Sequence, residues 1–117
     1  MKHIVLSMIA LAGLTAACGS SFPEPTERLA SSEAAIRSAK ELGAANDPQA
    51  ALHVKLADEQ VTTAKALIKD GENKRADMVL QRASADAELA VMMTREKAAK
   101  SEAGKANETL NTQKSGK

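Results

Sequence analysis

From Ala50 to Ile68 the apolar residues fall at alternating intervals of four and three: Ala50, Val54, Ala57, Val61, Ala64 and Ile68. That spacing returns to one face of an α-helix and to no face of a β-strand, whose side chains alternate every two residues. It is the seam of a helix packed along its length on another. The bounds are equally marked. Asp47-Pro48 is a cap followed by proline at the first helical position, and Gly71 supplies a residue tolerant of the left-handed conformation that ends helices. A helix is therefore expected over Pro48 to Asp70. Leu52, Leu56 and Leu67 widen its apolar face, so it should touch two neighbours.

The same reading extends in both directions. Leu29 and Ile36 lie seven apart, flanked by Ala35, Ala39 and Leu42, and Gly43 stops the run. This predicts a first helix over Glu27 to Leu42, with Thr26 as its N-cap. A turn over residues 43–48 follows. A third helix should begin near Glu72 with no strong breaker until Gly104, and reach about residue 112 if it continues across that glycine. It carries two seams: Ala76, Leu80, Ala83, Ala87 and Ala90 on one face, and Met78, Ala85, Leu89, Met92 and Ala99 offset from them. Weaker spacing continues through Ala103, Ala106 and Leu110. Two seams imply a central or self-associating helix. At 1.5 Å per residue the third helix would be ~60 Å long against ~35 Å for the second, so its end should overhang the others. Short turns make consecutive helices antiparallel. The expected fold is all-α: an elongated antiparallel helical hairpin or three-helix bundle with a long C-terminal helix. Alanine-rich cores bury little area per residue, which calls for close helix packing or self-association.

The amino terminus reads differently. Met1-Lys2-His3 precedes an apolar run of about 11 residues, Ile4 to Leu14, roughly half of the ~20 that span a bilayer. A positive start, a short apolar stretch and small residues before Cys18 form a secretory signal peptide. Leu14-Thr15-Ala16-Ala17-Cys18-Gly19 resembles the lipobox of bacterial lipoproteins, with Thr15 where that motif usually has Leu. The resemblance implies cleavage between Ala17 and Cys18, and acylation of Cys18, with palmitate among the usual chains. Gly19 rather than Asp after the cysteine implies the outer membrane, with the domain facing the periplasm. Cys18 is the sole cysteine, so it forms no internal disulfide. The expected order is signal peptide 1–17, flexible tether 18–26, helical domain 27–112 and frayed tail 113–117.

There are 16 basic and 15 acidic side chains, balanced once Lys2 is removed, which supplies no basic stripe for nucleic acid. One Phe and no Trp or Tyr leave no stacking platform. His53 has Gln49 and Ala57 at the neighbouring helical turns, so it has no second metal ligand there and reads as a helix-face histidine. Met78, Met92 and Met93 read as gap-fillers of a small core rather than a soft-metal site. Asp58-Glu59, Asp86-Glu88 and the pair Glu96–Lys100 read as a solvated charged face. No nucleophile–base pair and no phosphate-binding loop occurs, so neither catalysis, cofactor nor metal is expected. Lys117 superficially resembles the terminal lysine that joins Braun-type lipoprotein to peptidoglycan. Ser115-Gly116 replace the aromatic-basic ending of that family, so this linkage is not expected.

Pro48-Gln49-Ala50, Ala57 to Ala66, Ala76-Asp77-Met78-Val79-Leu80 and Ala83 to Ala90 together resemble the small lipoproteins of domain of unknown function 4398, over roughly Leu29 to Ala103. The resemblance implies a helical envelope protein and supplies no enzymatic residues. The expected function is that of a non-enzymatic, lipid-anchored structural or protein-interaction module whose partner is an envelope protein or a second copy of the chain. The alternative is a periplasmic carrier or chaperone holding apolar ligands in a cavity lined by Met78, Leu89 and Met92.

Overall fold

The computed structural model describes residues 21–116. Signal peptide, Ala17, Cys18, Gly19 and Lys117 lie outside the described residues. Among the described residues there are three α-helices: α1 (Thr26–Glu41), α2 (Pro48–Lys69) and α3 (Asn73–Ser115), with a 3₁₀ turn (Ala44–Asn46) between the first two.

The helix ends follow from local chemistry. Gly43 closes α1 at φ +88° and Gly71 closes α2 at φ +76°, both left-handed. The stop after α2 is a complete Schellman motif. The Glu72 N–H donates to the Leu67 carbonyl at 2.8 Å, and the Gly71 N–H donates to that of Ile68 at 3.0 Å. At the start of α2 the Asp47 carboxylate accepts the N–H groups of Gln49 (2.9 Å) and Ala50 (3.0 Å), with Pro48 in the first turn. The start of α1 differs from the sequence expectation. Thr26 is the first helical residue, Pro25 holds the cap position, and no side chain caps the helix. Pro25 is buried, and the Phe22 carbonyl accepts from Asn73 Nδ2 at 2.9 Å, so residues 22–25 lie against the start of α3 rather than forming a free tether.

Cross-helix polar contacts mark the register. Lys40–Asp58 and Glu33–Lys65, both 2.6 Å, set α1 antiparallel to α2. His53–Asp86 (2.8 Å) and Asp47–Lys97 (3.4 Å) set α2 antiparallel to α3. Arg28–Asp77 (2.5 Å) and Ser32–Ser84 (2.8 Å) show α1 running parallel to α3. The result is an up-down-up three-helix bundle.

Its core is one row of small residues from each helix. Ala39, Ala50, Ala57, Ala64, Ala76, Ala83, Ala87 and Ala90 are fully buried beside Ile36, Val54 and Val61, and among the described residues Leu80 is the one large apolar side chain completely enclosed. Alanines at the contact let helix backbones approach closely, and the interior fills without long side chains. Ala44, from the 3₁₀ turn, plugs one end. The buried Ser32 hydroxyl is satisfied by the Arg28 carbonyl at 2.8 Å and by Ser84 Oγ.

The bundle ends where Lys97 Nζ donates to the Asn46 carbonyl at 2.7 Å. From there α3 runs on alone to Ser115, with residues 98–115 all exposed. At 1.5 Å per residue that overhang is about 27 Å. It extends past the expected end at residue 112 to Ser115, with the hydroxyls of Thr112 and Ser115 donating to the carbonyls of Glu108 and Asn111.

Candidate interaction surface

The two seams of α3 lie on nearly opposite faces. Ala76, Leu80, Ala83, Ala87 and Ala90 are fully buried against α1 and α2. Met78, Ala85, Leu89 and Met92 each stand two positions from one of these, which is 200° of rotation at 100° per residue. They face outward: Met78 is 50 %, Leu89 38 % and Met92 60 % exposed. The core expectation for the methionines is thus corrected for Met78 and Met92; only Met93 packs partly against the core. Their separation of 14 residues along one helix puts Met78 and Met92 about 21 Å apart, too far to share a metal ion. Nor do Met78, Leu89 and Met92 enclose a cavity between helices, since all three point away from the bundle. Leu52 on α2, expected to widen a packed face, is likewise exposed.

The outer stripe does not stop with the bundle. Continued at the same four-three spacing it passes through Glu96, Ala99, Ala103 and Ala106 to Leu110, itself 53 % exposed. The inner seam ends at Thr94, after which its register holds Lys97 and Ser101. Only the outward apolar register therefore spans both bundle and overhang. From Ala85 to Leu110 the one charged residue within it is Glu96, paired with Lys100 at 2.5 Å, and Arg95, Lys100 and Glu102 flank it.

A second feature sits between α2 and α3. The Asp86 carboxylate takes both His53 Nδ1 and Gln60 Nε2 at 2.8 Å. Here the solvated-face expectation is corrected, because Asp86 is 22 % exposed and tied to α2. Periodicity gave the signal: Asp86 lies seven residues after Val79 and seven before Met93, both partly buried. His53 is placed on a helix face, as expected, and its ring faces a carboxylate rather than a nucleophile. Among the described residues, no group of three or more His, Cys, Asp or Glu side chains could hold a metal ion. Asp58 and Glu59 bond to Lys40 and Lys55 at the surface.

At the start of α2, the Asp47 carboxyl is held below the usual carboxylate range, chiefly by the Ala50 N–H it accepts, with Lys97 and Gln49 adding to the effect. The Glu96 carboxylate raises the Lys100 ammonium above its usual value. Both are positioning electrostatics rather than poised proton donors.

An all-helical, alanine-cored bundle with this spacing has a family counterpart. The family described as Domain of unknown function (DUF4398) matches residues 27–106. The chain belongs to the DUF4398 family. No curated protein and no solved structure matches it. The DUF4398 match takes in all of α2, nearly all of α1 and the first half of the α3 overhang. The outward stripe from Met78 to Ala106 is therefore inside the family domain. Among the described residues, no helix is long and apolar enough to cross a membrane.

Proposed function

We propose that this DUF4398 protein is a non-enzymatic, lipid-anchored module of the cell envelope. It is held at the outer membrane through acylated Cys18 and presents α3 to a protein in the periplasm. One observation carries the reading: an apolar stripe on α3 that the bundle leaves uncovered and that continues onto the overhang. Exposed apolar side chains aligned along a helix are the usual signature of a helix-docking surface. Scattered singly they would mean little. Aligned in one register over Met78 to Leu110, they favour a partner that is itself helical.

The anchor rests on the amino-terminal sequence. Two or three acyl chains on Cys18 hold far more firmly than one, at ~0.8 kcal/mol per buried methylene. Outward placement of Met78, Leu89 and Met92 favours the interaction module over a carrier that encloses its ligand.

Two measurements in cells expressing the full sequence test this. Labelled palmitate should enter the protein and be lost with Cys18→Ser. A photocrosslinking residue in place of Met92 should join the chain to a protein, and one in place of Lys55, on the far side of α2, should not. Unlabelled protein overturns the anchor. Equal crosslinking from both positions overturns the docking surface.

A further inference from the structure

We infer that the occupant of the α3 stripe is a second copy of this chain, paired antiparallel so that each overhang lies on the other copy's bundle. The inference rests on the interaction-module reading above and names its partner.

Length is the first argument. The overhang is residues 98–115, so pairing about a point between Lys97 and Ala98 lays it along residues 80–97 of the other copy. Those residues carry Ala85, Leu89 and Met92, the exposed stripe on the bundle beyond Met78. An overhang of just this extent leaves no apolar stretch of the stripe from Ala85 to Leu110 uncovered on either copy.

Side-chain size is the second. In that register Leu110 of one copy faces Ala85 of the other, Ala106 faces Leu89, and Ala103 faces Met92. Large meets small at each of these levels, as close-packed helix pairs require. The bundle part of the stripe holds the large residues Leu89 and Met92, and the overhang answers with Ala103 and Ala106.

Charge is the third argument and decides the orientation. Antiparallel helices bring the same flank of each stripe together, which sets Arg95 beside Glu102 of the other copy, twice by symmetry. Glu96 then faces Ala99 and keeps its own Lys100. A parallel pair in register would set Arg95 beside Lys100 and place Glu96, and Arg82 at the four-three position between Met78 and Ala85, each against the same residue of the other copy. Like charges at the seam exclude that arrangement. The antiparallel pair sends the two amino-terminal segments to opposite ends of the assembly, so a pair anchored in one membrane lies along its surface.

Cysteine crosslinking in cells expressing the full sequence tests the register. The parent chain controls for Cys18. The double variant Ala85→Cys/Leu110→Cys should form a disulfide-linked dimer under oxidation, and each single variant should match the parent. A dimer from either single variant indicates another register or a parallel pair and overturns the proposal. So does its absence from the double variant. Sedimentation of the detergent-solubilised full chain tests the charges. Arg95→Glu should weaken the dimer about tenfold, and Arg95→Glu/Glu102→Arg should restore it. An unchanged Arg95→Glu dimer overturns the pairing. If the chain is monomeric while Met92 still photocrosslinks to a different protein, self-pairing fails and the interaction-module reading stands.

Discussion

Met78 and Leu80 stand two residues apart on α3, and the turn of the helix leaves the first 50 % exposed and the second completely buried. Sequence neighbours of similar hydropathy therefore have different tasks. Among the described residues Leu80 is the one large apolar side chain completely enclosed, in a seam with Ala76, Ala83, Ala87 and Ala90. Leu80→Ala should cost about 2–5 kcal/mol, the range for a large core residue whose cavity cannot collapse. Met78→Ala should change stability by no more than about 0.5 kcal/mol. Urea denaturation of both variants at one protein concentration checks the contrast; equal losses would mean that the two seams are not inside and outside.

The Asp47 cap makes stability depend on pH at the acid end. Its carboxyl lies below the ordinary carboxylate range when folded, mainly through the Ala50 N–H, and returns to that range on unfolding. Its contribution is therefore complete above the unfolded value and is lost as pH falls through the lower folded one. Asp47→Ala should lower the melting temperature by about 5 °C at neutral pH. Asp47→Asn keeps a capping oxygen and should lose less, with a flatter acid limb. Thermal melts from neutral pH down into the acid range give both readings.

Asp86 binds α2 to α3 through two donors at once. Asp86→Ala removes the acceptor for His53 and Gln60, whose Oε1 is already buried without a hydrogen-bond partner. The expected loss is about 1–2 kcal/mol. A double-mutant cycle with Gln60→Ala should show coupling between the two sites, and strict additivity would argue against the bond.

Two glycines should respond oppositely to alanine. Gly71 has open space around a built Cβ but sits at φ +76°, so Gly71→Ala should destabilise by about 1 kcal/mol through backbone strain alone. Gly104 lies within α3 with nothing within 4 Å of that position. Gly104→Ala should firm the overhang, by about 0.5–1 kcal/mol locally. Amide exchange over residues 98–115 would report it as slower exchange there, with the bundle unchanged.

Much of this protein is written in local chemistry. Asp47-Pro48 and Gly71 set the bounds of α2 because capping and left-handed φ are properties of one or two residues. The four-three spacing named every buried residue of α2, because a helix repeats regardless of what it packs on. The two seams of α3 were equally legible as seams. Which one faced inward was not, since periodicity fixes relative angle and says nothing of where the neighbouring helices lie. Packing decided it: the seam of alanines admits close backbone approach, so it was buried, and the larger Met78, Leu89 and Met92 were turned out. The same step drew Asp86 from an expected solvated face into a bond with His53, and ended the bundle at Lys97 while α3 continued. The three helices and the bounds of α2 came from the sequence. Inside, outside and overhang required three helices competing for one core.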